Sequence, residues 1–298
     1  MLGRFGRGTG SLLGVEIAHD SIRMLQLRHQ RGRCRVAGWA REPFGATLRG
    51  PGLLDDAGTL VRALRQAHGR CATRQREVAL ALPASQVICK ICRLPAGESD
   101  LGIESQLLDQ ADQLFPFPLD DLALDFQVLG ASVDDPGQVD ALVVACRQSQ
   151  IDPLEQLFAQ AGLRLVAVEV DSIALQRALV EGGCAGKTML QLEAGEMVMH
   201  CWLHACVPQR QHVAPMASDQ WAQSVERLWH ASGGQARGDE LLLTGALASA
   251  ERAAQLAQLL GVACRMVRPG VQSGPGAIEA GQEPSMALAY GLALGGLA

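Results

Sequence analysis

At 298 residues and 31.6 kDa the chain can hold about two domains, and 48% hydrophobic against 19% charged residues excludes an intrinsically disordered protein. Its 26 Lys and Arg against 31 Asp and Glu leave a net charge of −5, which excludes a generic binder of phosphate backbones, so no nucleic-acid partner is expected. With 6 Phe, 4 Trp and 1 Tyr, the core falls mostly to Leu, Val, Ile and Ala.

At the N-terminus, Arg4 and Arg7 are followed only by Leu12–Leu13 before Glu16, which is no signal-peptide core. Leu12–Ile17 (LLGVEI) reads as a buried strand. The polar break Ala18-His19-Asp20-Ser21 separates it from Ile22–Leu27 (IRMLQL), whose alternation suits a half-buried strand. Arg31-Gly32-Arg33 turns the chain into a third strand, Cys34–Arg41. A helix near Thr59–His68 and a buried strand Val78–Leu82 follow. The stretch Gly14 to Ser21 combines a glycine, the acid Glu16 and a polar hairpin whose backbone N–H groups could cradle an anion.

A second module runs from about 83 to 163. Its first strand, Val87–Leu94, carries the one CxxC pair, Cys89 and Cys92, which three positions along a strand aim at opposite faces. The nine cysteines, odd in number and scattered from Cys34 to Cys264, fit reduced thiols better than a disulfide framework or a zinc site. An acidic amphipathic helix is expected over Asp100–Leu114, stopped by Phe115-Pro116-Phe117-Pro118. Strands Leu122–Leu129 and Val139–Cys146 come next. Then a helix should start with Asp152 as N-cap and Pro153 in the first helical position. Asp120-Asp121 and Asp134-Asp135 read as solvated loop charges.

Strand Leu163–Val170 and helix Ser172–Leu179 return to the first half, and Glu181-Gly182-Gly183 ends it. A new meander then begins: Thr188–Leu192, Met197–Leu203 and a return strand over Pro208–Ala214. A helix over Asp219–Ser232, a strand over Glu240–Leu243, a helix over Ala248–Leu260 and a C-terminal helix complete it. Meander plus helix thus occurs twice, an internal repeat of two lobes with an insertion in the first. Gly186-Lys187-Thr188 is no P-loop, because Glu181 stands where its first glycine belongs and a strand follows where a helix should. His200, Cys201, His204 and Cys206 do not converge as metal ligands, since neighbours on a strand face opposite ways. No catalytic triad spacing is present. The apolar run Met286–Ala298 has 13 residues, short of the roughly 18 that a membrane span needs.

Several of these stretches resemble one family, the type IV pilus assembly proteins PilM, which are actin-like and related to the division protein FtsA. The resemblance is carried by LLGVEIAHDSIRMLQL, by QVICKICRLPAG, and most specifically by ESQLLDQADQLFPFPLDDLALDFQVLG. The run DALVVACRQSQIDPLEQLFAQAGLRLVAVEVDSIALQRAL and the ending PSMALAYGLALGGLA add to it. It implies an α/β, actin-like (ribonuclease-H-like) two-lobe fold. Subdomain 1A would comprise 1–82 and 164–184, an inserted subdomain 1C 83–163, and a 2A-like lobe two 185–298. It further implies a cytoplasmic scaffold at the inner membrane. Such a scaffold holds the N-terminal cytoplasmic segment of PilN and connects through it to PilO, PilP and the pilus motor ATPases. The partner groove would lie between 1A and 1C, near Val87, Ile88, Arg93, Leu94, Phe115 and Phe117. A homodimer is left open.

The resemblance also implies an ATP cleft, and here the sequence departs from it. The first phosphate motif keeps Gly14 and Ser21, with His19 between them and Glu16 where aspartate is commoner. The second should end in Asp-Ile-Gly but reads Gln191-Leu192-Glu193, an amide for the acid and an anion for the glycine. The adenosine loop, Thr244-Gly245-Ala246, keeps one glycine of two. Only 28 positions separate Val213 from Leu241, too few for the helical subdomain 2B that walls the base pocket in relatives. The expectation is therefore a scaffold with a vestigial cleft, needing no cofactor, with ATP and Mg²⁺ only if that cleft still works. A nucleotide-controlled actin-like protein and a component of a type II secretion or competence machine are the alternatives. A small-molecule kinase is disfavoured, because no acid can be assigned as the base.

Overall fold

The computed structural model describes residues 11–30, 33–44, 56–179, 187–203, 207–208, 212–215, 220–233, 240–269 and 276–297. The expected turn at 31–32, the linker break at 181–183, and His204 and Cys206 lie outside them. In lobe one, β1 (Leu13–Ile17), β2 (Ser21–Gln30) and β3 (Arg33–Pro43) form an antiparallel meander. Helix α1 (Ala57–Cys71) crosses over to β4 (Glu77–Leu82), which lies parallel to β1. Later β8 (Arg164–Val170) joins the far side of β4, giving the order β3-β2-β1-β4-β8. Asp56 starts α1 by accepting from the Thr59 N–H at 3.0 Å, and Ala72 ends it in the left-handed region at φ 52°.

Between β4 and β8 sits the insert. Its strands β5 (Ile88–Pro95), β6 (Leu122–Ala131) and β7 (Gln138–Arg147) form an antiparallel sheet in the order β5-β7-β6. One face packs Leu94, Ala141 and Val143 against Ile103, Leu107 and Phe115. The other packs Leu142 and Val144 against Val170 and Ile173 of lobe one. Cys92 belongs to the first face and Cys89 to the second, as the strand period requires.

The acidic helix is two pieces, α2 (Asp100–Asp109) and α3 (Ala111–Leu114), broken at Gln110 with φ −101° and ψ 2°. Helix α4 (Gln148–Gln160) begins four residues before the expected cap, with Pro153 inside it. The cap comes from far away in sequence: Asp121 accepts from the Ser149 N–H at 2.8 Å and pairs with Arg147 at 2.9 Å. Although the sequence groups α4 with the insert, its Ile151, Leu154, Leu157 and Phe158 share a core with Leu60 and Leu64 of lobe one.

Lobe two repeats the plan. After α5 (Asp171–Arg177), β9 (Thr188–Leu192) and β10 (Glu196–Leu203) pair antiparallel. Of the return strand, the described residues are β11 (Val207–Pro208) and β12 (His212–Pro215), both antiparallel to β10. Helix α6 (Trp221–Ala231) leads to β13 (Leu241–Thr244), parallel to β9. Among the described residues α6 is the one helix between β12 and β13, so a 2B-type subdomain is reduced to it. Helix α7 (Ala250–Leu260) and a short strand that the sequence did not reveal, β14 (Cys264–Met266), follow. Both sheets thus share one topology, a ribonuclease-H-like lobe used twice, and the fold is actin-like.

The last helix, α8 (Ala287–Gly295), falls in the range expected for lobe two but packs on lobe one. Its Ala289 and Ala293 meet Leu25 and Leu27 of β2, while Leu288 and Leu292 join Met189 and Leu242 of lobe two. Small residues let it approach closely. A Cβ on Gly14 would lie 2.0 Å from the Ala289 carbonyl oxygen, and one on Gly291 would lie 1.8 Å from that of Ala174. Among the described residues no helix is long and apolar enough to cross a membrane.

Candidate functional site

The β1–β2 hairpin of lobe one faces the β9–β10 hairpin of lobe two, as the two phosphate loops of an actin-like cleft would. At the centre stands Arg23, with no exposed side-chain surface. The hairpin register pairs it with Glu16. Arg23 Nη1 donates to Glu16 Oε1 at 3.1 Å, to Glu193 Oε1 at 2.8 Å and to the Ser285 carbonyl at 3.2 Å. Arg23 Nη2 donates to Glu193 Oε2 at 2.6 Å and lies 3.6 Å from Asp20. The Arg23–Glu193 pair is therefore bidentate, the geometry in which a guanidinium binds a carboxylate best. Burial opposes the charge on Arg23, but the carboxylates of Glu16 and Glu193 outweigh it and hold the guanidinium firmly protonated.

The other expected cleft residues are tied into the same junction. Gln191 donates from Nε2 to Glu16 Oε1 at 3.3 Å, and its Oε1 meets His200 Nε2 at 3.2 Å. Ser21 spends its hydroxyl on Asp20 at 2.7 Å, and the His19 ring lies against Gly195, where a Cβ would approach it to 2.7 Å. Thr244 donates to the Pro284 carbonyl at 2.6 Å. Gly245, at φ +95°, sits where a Cβ would come within 2.3 Å of the Leu192 carbonyl. Gly14 serves the close approach of α8.

Beside this junction the cleft opens to about 600 Å³. Glu16, Asp171, Glu193 and Glu196 line it, and among the described residues no Lys or Arg does. Burial pushes the Glu16 carboxyl up to about 7, with Arg23 opposing and Glu193 and Asp20 adding to the rise. Glu196 is also raised, by partial desolvation and then by Glu193 and Asp171, with His19 opposing. These groups do not fit a polyphosphate: a triphosphate would meet carboxylates in place of backbone N–H groups, and the Arg23–Glu193 pair occupies the meeting point of the two hairpins. Among the described residues no cluster of His, Cys, Asp and Glu could hold a metal ion.

The six residues expected to meet a partner divide by burial. Leu94 and Phe115 are 2% and 3% exposed, locked in the core of the insert, so they shape its surface from beneath. Val87 is half-buried at the junction with lobe one, and Ile88 is half-buried against the insert's own core. Phe117 is half-buried under the Arg147 guanidinium, 5.1 Å from its ring centre. Arg93 is exposed and paired with Asp134 and Asp140. Sequence reasoning missed Ile91, 43% exposed on β5, and above all Arg23. The signal for Arg23 was present. It shares a strand face with Leu25 and Leu27, and a cation there demands an anion such as the misplaced Glu193.

The family model for type IV pilus assembly protein PilM matches residues 14–197. The fold is similar to the solved PilM–PilN type IV pilus biogenesis complex, with a TM-score of 0.72 at 20% identity, covering 97% of this chain and 99% of that one. It is also similar to the cytoplasmic domain of EpsL, an inner membrane component of the type II secretion system of Vibrio cholerae. There the TM-score is 0.50 at 16% identity, with 95% and 94% covered.

Proposed function

The chain belongs to the type IV pilus assembly protein PilM family, and from that premise we propose that it is a scaffold which holds the N-terminal cytoplasmic segment of a PilN-like membrane protein without turning over ATP. The observation that carries this reading is where the apolar surface lies. Of the large apolar side chains exposed among the described residues, all but Leu259 fall on the insert, between Ile91 and Val133. Ile91 matters most. It pairs with Leu142 across the sheet, on the face that Leu142 and Val144 bury against Val170 and Ile173. At Ile91 that face leaves a short exposed apolar seam beside the junction with lobe one, bounded outward by the Arg93–Asp140 pair, and this seam would take an apolar side chain of a short extended segment. In this reading the chain reaches the inner membrane through that partner, and through it PilO, PilP and the motor ATPases. The Arg23–Glu193 pair supports the absence of turnover, because it takes the place where phosphate would be gripped.

Calorimetric titration tests both halves. A peptide copying the N-terminus of a PilN-like protein should bind, and Ile91→Asp should weaken it by about tenfold while leaving the unfolding midpoint nearly unchanged, as exposed substitutions do. ATP–Mg²⁺ at millimolar concentration should give no heat. Failure of the peptide to bind would remove the scaffold reading, and tight ATP binding would remove the claim of a silent cleft.

A further inference from the structure

The seam on the insert leaves the cleft between the lobes unexplained. We propose that this cleft binds an organic cation with an aliphatic stem, either a lysine or arginine side chain on a peptide or a free alkylamine. At about 600 Å³ it has the size of a small-molecule pocket and is far larger than a bare ion requires. One part of its lining is apolar, with Leu82, Pro83, Pro153, Val198 and Leu288, and would take the methylenes. The other part is the carboxylates of Glu16, Asp171, Glu193 and Glu196.

Carboxylates alone would not make a site, but Glu16 adds an independent observation. It is 5% exposed, its Oε1 is held by Arg23 and Gln191, and its Oε2 meets no hydrogen-bond partner. A buried carboxylate oxygen left so is costly unless a donor reaches it. The nearest cation does not supply it: the two Nη groups of Arg23 are spent on Glu16 Oε1, Glu193 and the Ser285 carbonyl, and its Nε makes no hydrogen bond to Glu16. A metal ion is the poorer occupant, because among the described residues the acids do not converge as metal ligands. An ammonium or guanidinium on a flexible stem needs no such convergence and carries several donors. Burial first, and then the neighbouring carboxylates, raise the carboxyls of Glu16 and Glu196, and a cation in the cleft would oppose both shifts.

The test uses the full chain with cadaverine, agmatine, an arginine-containing tripeptide and, as the uncharged control, pentan-1-ol. Amines that bind the native state should raise the thermal midpoint and give saturable heats at millimolar concentration, and pentan-1-ol should do neither. Glu196→Gln, at the cleft rim, should weaken amine binding by about fivefold, the loss of one partly exposed charge partner. Gln86→Lys, which tethers a cation at the rim, should weaken it as well. Tighter binding of the tripeptide than of agmatine would identify a protein segment as the source, and the reverse a free amine. No binding by any of the three cations, or equal binding by wild type and both variants, would overturn the proposal. The result is separable from the scaffold reading, since Ile91→Asp should leave amine binding unchanged.

Discussion

At the residue scale, one arginine explains why a damaged motif is tolerated. Glu193 alone would be a buried anion at the meeting of two hairpins, and Arg23 neutralises it with two hydrogen bonds. Removing one partner of such a pair leaves the other uncompensated, so Arg23→Met should cost about 3–5 kcal/mol in denaturant unfolding. Arg23→Met combined with Glu193→Met should cost clearly less than the sum of the two single changes; additivity would mean the pair is not the unit it looks. Glu16 supplies a pH prediction. Its carboxyl titrates near 7 in the folded chain and near 4.5 when unfolded, so between those values the unfolded chain loses a proton that the folded chain keeps. Stability relative to Glu16→Gln should therefore fall as pH rises from 5 to 7.5, by up to about 3 kcal/mol. A flat difference across that range would show that Glu16 does not titrate there. The sequence made Glu193 legible as a departure but not its remedy, because Arg23 and Glu193 are 170 positions apart and only folding joins them.

At the element scale, period and turn chemistry carried most strands and helices to within a few residues. The failures have a common physical cause. Helix α4 starts early because Asp121, from before β6, caps it, and α2 breaks at Gln110 without any Gly or Pro to announce it. The packing role of Gly14 is hidden from the sequence for the same reason. A glycine at a phosphate loop and a glycine under a crossing helix look alike in sequence, and the Ala289 carbonyl reveals the second. Gly14→Ala and Gly291→Ala should each unseat α8, lowering the unfolding midpoint far more than Gly97→Ala, whose strain is confined to a turn where nothing stands within 4 Å. Circular dichroism melts would rank the three, and equal midpoints would contradict the seating of α8.

At the scale of the molecule, the repeat of the two lobes was legible because both use the same meander, crossover helix and parallel strand. Their closure was not. It rests on Arg23 with Glu193, on Gln191 with Glu16, and on the Trp202 indole, which donates to the Ser172 carbonyl at 3.1 Å. Glu193→Gln should loosen this junction, seen as faster hydrogen exchange in both hairpins with the insert unaffected; exchange spread evenly over the chain would argue for general destabilisation. The position of α8 has a consequence for the making of the protein. Lobe one has its strands in hand once Val170 is synthesised, yet the apolar side of β2 stays bare until the helix at 287–295 arrives. At ribosomal speed that interval is on the order of ten seconds, during which the nascent chain offers Leu25 and Leu27 to whatever chaperone waits at the exit tunnel.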